Sequence, residues 1–404
     1  MKSEVFFVAK DSLVYSYERL FQDLGECAKI SRYCYTPDTY DVLIHILRSI
    51  LNDIDLVLLD HDFSKNELEA LGIKPDNLTE TVRVTPLSLH SKAELINAIN
   101  DKASWKLTLF TSGTTGLPKK VTHKLTNLVR LVRQSEKQKQ SVWGFAYNPT
   151  HIAGIQVFFQ AIMNGNPIID LFGLSRDEIL KLIDEYQITN LSATPTFYRM
   201  LMPMGKALSS VKRITSGGER FDSSLAKNIL QGFPNAQMRN IYASTEAGSV
   251  LESKNDRFVI SDLQRSKIEG NRLFIHSSLL GVDDFAGEWY DTGDLVEIVD
   301  YASGEFIFLS RASEMINVGG YKANPLEIEE TLCLHPAVIK ARVWGKPNPV
   351  IGNILMADLV CNRDCTEKEI REFLKGKLQD FKIPRVISFK DEIDTTRSGK
   401  IKRV

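Results

Sequence analysis

Residues 109–120 read LFTSGTTGLPKK, a loop that gathers small hydroxylated residues, two glycines three positions apart and two lysines. Gly113 and Gly116 allow a tight turn that brings backbone N–H groups close to an anion. Thr111, Ser112, Thr114 and Thr115 add short hydroxyl donors, and Lys119 and Lys120 supply positive charge. Such a set suits a polyphosphate, which is held by backbone donors and cations. The apolar run 105–110 predicts a strand before it, so the loop is expected to leave the edge of a sheet. The phosphate loop of kinases and ATPases is excluded by spacing, because Pro118 and Lys119 stand where that motif needs Gly-Lys and Lys120 where it needs Ser or Thr. A Ser/Thr/Gly-rich surface turn remains the plain alternative for the loop taken alone.

The length of 404 residues predicts two or three domains with ample buried core. A composition 43% hydrophobic and 25% charged is that of a soluble globular protein. Its formal charge of -1 provides no global attraction for nucleic acid or an anionic membrane, so phosphate binding must rest on local groups. The short apolar run after the first Met is too brief for a signal peptide or a membrane span, and a cytoplasmic location is expected. Five cysteines without C-x-x-C spacing read as bystander thiols, and seven histidines form no zinc-like cluster.

Along the chain, helical and strand patterns alternate: 40–51 then 54–59, ending at Asp60; 179–186 then 188–193; 225–230 then 238–242. This predicts an α/β sheet with crossover connections. From 257 to 308 short strands separated by turns predict a β-rich module. After Arg311 a polar loop with Gly319 and Gly320 leads to a helix at 325–333, strands near 338–343 and 354–360, and a helix at 366–378. The expected fold is therefore α/β: a large N-terminal domain, 1–312, of α/β sheet subdomains plus the β-rich module, then a small α+β domain, 313–404.

Further segments follow the loop in a fixed order: Ser216-Gly217-Gly218-Glu219, then 241–246 (IYASTE), 287–295 (GEWYDTGDL), 310–330 (SRASEMINVGGYKANPLEIEE) and 395–403 (TTRSGKIKR). Together they resemble the acyl-adenylate-forming superfamily of acyl- and aryl-CoA ligases, adenylation domains and luciferases, from about residue 107 onward. The nearest likeness in motif style is to benzoate-type and o-succinylbenzoate-type CoA ligases. The resemblance implies that Thr111 to Lys119 hold ATP phosphates and that Gly217, Gly218, Glu219, Asn240, Ile241 and Tyr242 border adenine. Thr245 would face phosphate and Glu246 would bind magnesium, which prefers hard carboxylate oxygens. It further implies that Asp294 accepts both ribose hydroxyls, that Arg311 contacts ribose and phosphate, and that Lys400 reaches the attacked phosphate and the carboxylate. By the same resemblance Ser313 would be the hinge about which a small, mobile C-terminal domain turns, at a position where many relatives carry an acid. Gly319 and Gly320 would line the thiol tunnel. The region before the glycine loop is short for the family, which suggests a trimmed first subdomain.

The implied reaction is attack of a carboxylate on the α-phosphorus of ATP, giving acyl-AMP and pyrophosphate, followed by transfer to a thiol. Residues 148–154, with His151 and Gly154, align with the acyl pocket, to which Ser216 is also assigned. No acid stands at those positions to bind an amino group, so an aryl or other non-amino carboxylate fits, with a purely structural His151 as the alternative. The thiol is coenzyme A or the phosphopantetheine of an acyl carrier protein. A nucleotide-binding scaffold without turnover is a third reading, and the oligomeric state, a homodimer included, is open.

Overall fold

The computed structural model describes residues 4–111, 119–218, 223–253, 256–281, 285–318, 321–348 and 352–394. Its packing resolves into two compact units: Met1–Asp256 with Ser278–Ala286, and Arg257–Ser277 with Gly287–Val404. The first is built on an eight-stranded sheet ordered Gly248–Ser253, Gln237–Ser244, Arg213–Gly217, Asn190–Ala193, Trp143–Phe145, Ile168–Asp170, Val5–Val8, Val14–Ser16. The six inner strands are parallel and the two outer ones antiparallel. Helices Ile152–Ile162, Arg176–Glu185, Pro195–Leu201 and Ser223–Gly232 make the crossovers.

Parallel strands joined this way are covered on both faces, and every residue of Ile168–Asp170 and Asn190–Ala193 is buried, the polar Asp170, Asn190 and Ser192 included. One core gathers Phe6, Leu43, Phe145 and Phe158, and the other Ile169, Ile183, Tyr198 and Phe233. Helix Thr39–Leu51 belongs to the first core and starts where the Asp38 side chain accepts from the Asp41 N–H. A second sheet of the same unit runs Tyr33–Cys34, Leu56–Leu58, Lys106–Thr111, Lys119–Lys124. Here the edge expectation is corrected. Lys106–Thr111 lies between a parallel neighbour and an antiparallel one, because 119–124 returns as the outer strand with Thr111 opposite Lys119.

The second unit holds two sheets. The β-rich module is antiparallel, ordered Phe258–Val259, Glu305–Arg311, Trp289–Asp300, Arg272–His276, Ser266–Glu269. The other sheet is ordered Tyr321–Ala323, Ile316–Val318, Gly352–Cys361, Val338–Asn348, with Val386–Phe389 parallel to Gly352–Cys361. Helix Pro325–Cys333 packs Ile328 and Leu332 into its core. The helix expected at 366–378 stops earlier, as Glu367–Leu374, because Lys375 leaves helical backbone and Gly376 takes a left-handed φ of 79°. The strand expected at 338–343 runs on to Asn348, held by a ladder that reaches Gly352. The described cysteines are all free thiols.

Candidate active site

In open α/β sheets ligands gather at the carboxyl ends of the strands, where successive connections diverge to opposite sides. Trp143–Phe145 is that point here: the next two strands in sequence, Ile168–Asp170 and Asn190–Ala193, flank it on either side. Just past the carboxyl ends of the parallel strands of this unit lie His151, Gly218 and the Thr245–Glu246 turn, with Ser216 and Gly217 closing their own strand.

Ser216 pairs with Asn240 and Gly217 with Ile241 on adjacent parallel strands. The fit is close, since a Cβ on Gly217 would stand 3.0 Å from the Ile241 carbonyl, and Gly218 follows with a φ of 83°. Ser216 and Asn240 are buried; Ile241 and Tyr242 are half-buried.

Thr245 and Glu246 sit in the turn between Gln237–Ser244 and Gly248–Ser253, with Gly248 at a φ of 65°. The backbone of this turn is clamped from several directions. His123, on the strand returning from the glycine loop, meets the Thr245 carbonyl at 2.7 Å through Nε2. A carbonyl only accepts, so Nε2 carries the proton; burial lowers the pKa of His123, which favours the neutral ring. Arg130 donates to the carbonyls of Ala247 at 2.6 Å, Ser249 at 2.7 Å and Leu279 at 3.2 Å. The Gly281 N–H donates to the Glu246 carbonyl at 2.7 Å, and Asn127 donates to Leu280 at 2.8 Å. The segment after the phosphate-type loop thus fixes the turn that presents Glu246. Among the described residues the Glu246 carboxylate has no hydrogen-bond or ion-pair partner, so its oxygens are available to a hard cation. No cluster of three or more His, Cys, Asp or Glu among those residues could hold a metal alone. A magnesium ion held by one carboxylate, phosphates and water fits this donor set.

His151 precedes helix Ile152–Ile162 without capping it. Its Nε2 lies 3.1 Å from Oδ2 of Asp60, which follows strand Leu56–Leu58 of the other sheet. Oδ1 of Asp60 accepts from Asn148 at 2.9 Å and from the Thr150 hydroxyl. Burial pushes the Asp60 carboxyl up, but hydrogen bonds from His151, Thr150 and Asn148 outweigh it and hold the pKa below the ordinary carboxylate value. Asp60 is only 5% exposed and committed to three donors, so it does not offer itself to an ammonium group. Gly154 lets the helix approach, since a Cβ there would lie 2.5 Å from the Asn148 carbonyl.

In the second unit, Asp294 and Arg311 are opposite each other on neighbouring strands, and Arg311 Nε donates to Asp294 Oδ1 at 3.1 Å. Asp294 is buried and Arg311 exposed, so the pair presents an oriented carboxylate edge beside a cation. Ser313 lies in the short turn Ala312–Glu314 directly after Arg311. A cavity of about 220 Å³ in this unit is lined by Val318, Tyr321, Phe381 and Arg385, whereas one of about 590 Å³ in the first unit, by Leu180, Asp184 and Met204, contains none of the predicted residues. The predicted Ser112, Gly113, Thr114, Thr115, Gly116, Glu219, Gly319, Gly320 and Lys400 lie outside the described residues, as does the side chain of Thr111; Lys119 is exposed.

The sequence reading missed Asp60, His123 and Arg130. Asp60 ending a buried strand and His123 and Arg130 just after the glycine loop were the only local signals.

A family model described as AMP-binding enzyme matches residues 46–267, and a model of the AMP-binding enzyme C-terminal domain matches 327–400. The 2-succinylbenzoate–CoA ligase of Bacillus licheniformis is 26% identical over 330 residues, which are 73% of this chain and 68% of that protein. The 4-hydroxybutyrate–CoA ligase 1 of Metallosphaera sedula is 24% identical over 425 residues, covering 87% of this chain and 73% of that protein. The structure of o-succinylbenzoate coenzyme A synthetase from Bacillus subtilis in complex with AMP superimposes with a TM-score of 0.77 at 19% identity, covering 98% of this chain and 94% of that one. That likeness establishes the fold.

Proposed function

The chain belongs to the AMP-binding enzyme family, and from that membership we propose that it is an ATP-dependent acid–thiol ligase acting on an aryl or acyl carboxylate and coenzyme A. A carboxylate oxygen attacks the α-phosphorus of ATP, the bond to the leaving pyrophosphate breaks, and acyl-AMP forms. The thiolate sulfur of coenzyme A then attacks the acyl carbon and expels AMP. The observation that carries this reading is the turn at Thr245 and Glu246, held by four backbone clamps with its carboxylate unengaged among the described residues, beside the paired strands of Gly217 and Ile241.

Catalysis of this kind is orientation and charge stabilisation rather than covalent chemistry by a side chain. Magnesium would neutralise phosphate charge when bound. Glu246 would hold it, and Thr245 with the 111–119 loop would orient the phosphates. The Gly217–Ile241 strand pair would border the base, and Asp294, oriented by Arg311, would accept the ribose hydroxyls. Lys400 would stabilise the attacked phosphate during the first step, residues 313–404 turning about Ser313 for the second. His151, Gly154 and Ser216 would border the acyl group, with Gly319 and Gly320 admitting the pantetheine arm. No helix among the described residues is long and apolar enough to cross a membrane.

The test supplies the full chain with ATP, magnesium, an aromatic or aliphatic acid and free coenzyme A, and quantifies products by mass. Equimolar acyl-CoA and AMP are expected. Thioester formed only on a phosphopantetheinyl carrier protein would replace coenzyme A as the acceptor.

A further inference from the structure

Asp60 joins two sheets that the sequence keeps far apart. It follows the strand Leu56–Leu58 in the four-stranded sheet, while Asn148, Thr150 and His151 follow Trp143–Phe145 in the eight-stranded one. Three side chains of the 148–151 segment converge on its carboxylate: Asn148 and Thr150 on Oδ1, His151 on Oδ2. Asn148 Oδ1 in turn accepts from the Thr150 N–H at 2.9 Å, closing the cluster. An ionised carboxylate only accepts, so His151 must present a protonated Nε2 to it. Among the described residues Nδ1 of His151 has no partner, and the side chain is 20% exposed.

We propose that Asp60 is the positioning residue of the acyl side of the site: it fixes the ring of His151 with Nε2–H turned to the protein and leaves Nδ1 as the ring nitrogen offered to the acyl group. This rests on the ligase reading for the identity of the acyl group, though not for the contact itself. The bond to a buried carboxylate stabilises one ring orientation and one tautomer, the role that second partners of functional histidines commonly serve. Asp60 touches no reacting atom. Its effect passes through His151, so it should govern how well the acid is held rather than how ATP is held.

The test has two arms on the full chain. Histidine ¹⁵N spectra, with His151 assigned among the seven histidines by its loss in His151→Gln, report which ring nitrogen is protonated. Nε2 is expected to be protonated in the parent protein, and Asp60→Ala should release the ring into a mixture of tautomers. Asp60→Asn, which keeps the volume, serves if the alanine variant does not fold; it should also disturb the ring, because one amide cannot accept from His151, Asn148 and Thr150 together. In the kinetic arm, the KM for the acid should rise about tenfold in either variant with the KM for ATP within twofold, and adding His151→Ala should cost little more. The proposal is overturned if the His151 signals are the same in parent and variants, or if KM for ATP rises as much as KM for the acid. If no acid supports turnover in the parent protein, the ligase reading fails, while the spectra still decide whether Asp60 sets the ring.

Discussion

Arg130→Ala removes the side chain on which the Glu246 turn depends most heavily. The guanidinium spans three carbonyls, those of Ala247 and Ser249 at 2.6 and 2.7 Å and that of Leu279 at 3.2 Å. Hydrogen bonds from a charged donor contribute roughly 1.5–3 kcal/mol net each, and a carbonyl left buried without a partner costs a similar amount. The two short bonds alone would give about 3–6 kcal/mol. Water entering the vacated space would satisfy part of the loss, so about 3 kcal/mol is the expected destabilisation of the first unit. At roughly 2–4 °C per kcal/mol for a unit of this size, its thermal transition should fall on the order of 5–10 °C. Arg130→Lys should recover only part of this, because one ammonium lacks the planar fork that reaches three acceptors. Scanning calorimetry measures the transition, and the KM for ATP with magnesium, measured well below it, should rise about tenfold as the turn loosens. A transition within 1 °C of the parent together with an unchanged KM for ATP would refute the argument that this clamp positions Glu246.

Gly154→Ala places a Cβ 2.5 Å from the Asn148 carbonyl and 3.2 Å from the Phe145 ring, so it should cost about 1–3 kcal/mol of overpacking, read as a lower denaturant midpoint. Burial pushes Asp170 up to about 6 against the partial relief of Lys10, which raises its folded pKa above the unfolded value of 3.8. The folded protein then binds the extra proton, so this residue's contribution falls as pH rises from about 4 to 6 and is a full penalty above that. Asp170→Asn keeps an acceptor for the Phe172 N–H and should stabilise the protein by on the order of 1–3 kcal/mol at neutral pH, with little gain near pH 4, as urea melts at both pH values will show. Lys400→Ala should slow adenylation by on the order of 100-fold, with a smaller effect on thioester formation from supplied acyl-AMP; stopped-flow measurement of each half-reaction distinguishes this from an equal loss in both.

Much of this was legible in the primary structure because the informative residues are contiguous. The strands at Lys106–Thr111 and Gln237–Ser244 and the helices at Thr39–Leu51 and Pro325–Cys333 follow from apolar runs and caps within a few positions. The ordered motifs drew attention to Asp294 and Arg311, and the fold places them opposite each other on neighbouring strands. What remained hidden depends on contacts between distant segments. Asp60 and His151 are 91 positions apart, and His123 and Thr245 are 122 apart. No periodicity connects such pairs. The end of the helix at Leu374 was missed for a local reason, the left-handed Gly376 inside an otherwise helical pattern.

Acid-dependent release of pyrophosphate tests the central claim most directly. The full chain is incubated with ATP and magnesium, without coenzyme A, across a panel of aromatic and aliphatic carboxylates, and pyrophosphate is measured. At least one acid should stimulate release and leave an acyl-adenylate of the corresponding mass. A protein that binds ATP yet releases no pyrophosphate with any acid would contradict the account and leave a nucleotide-binding protein without ligase chemistry.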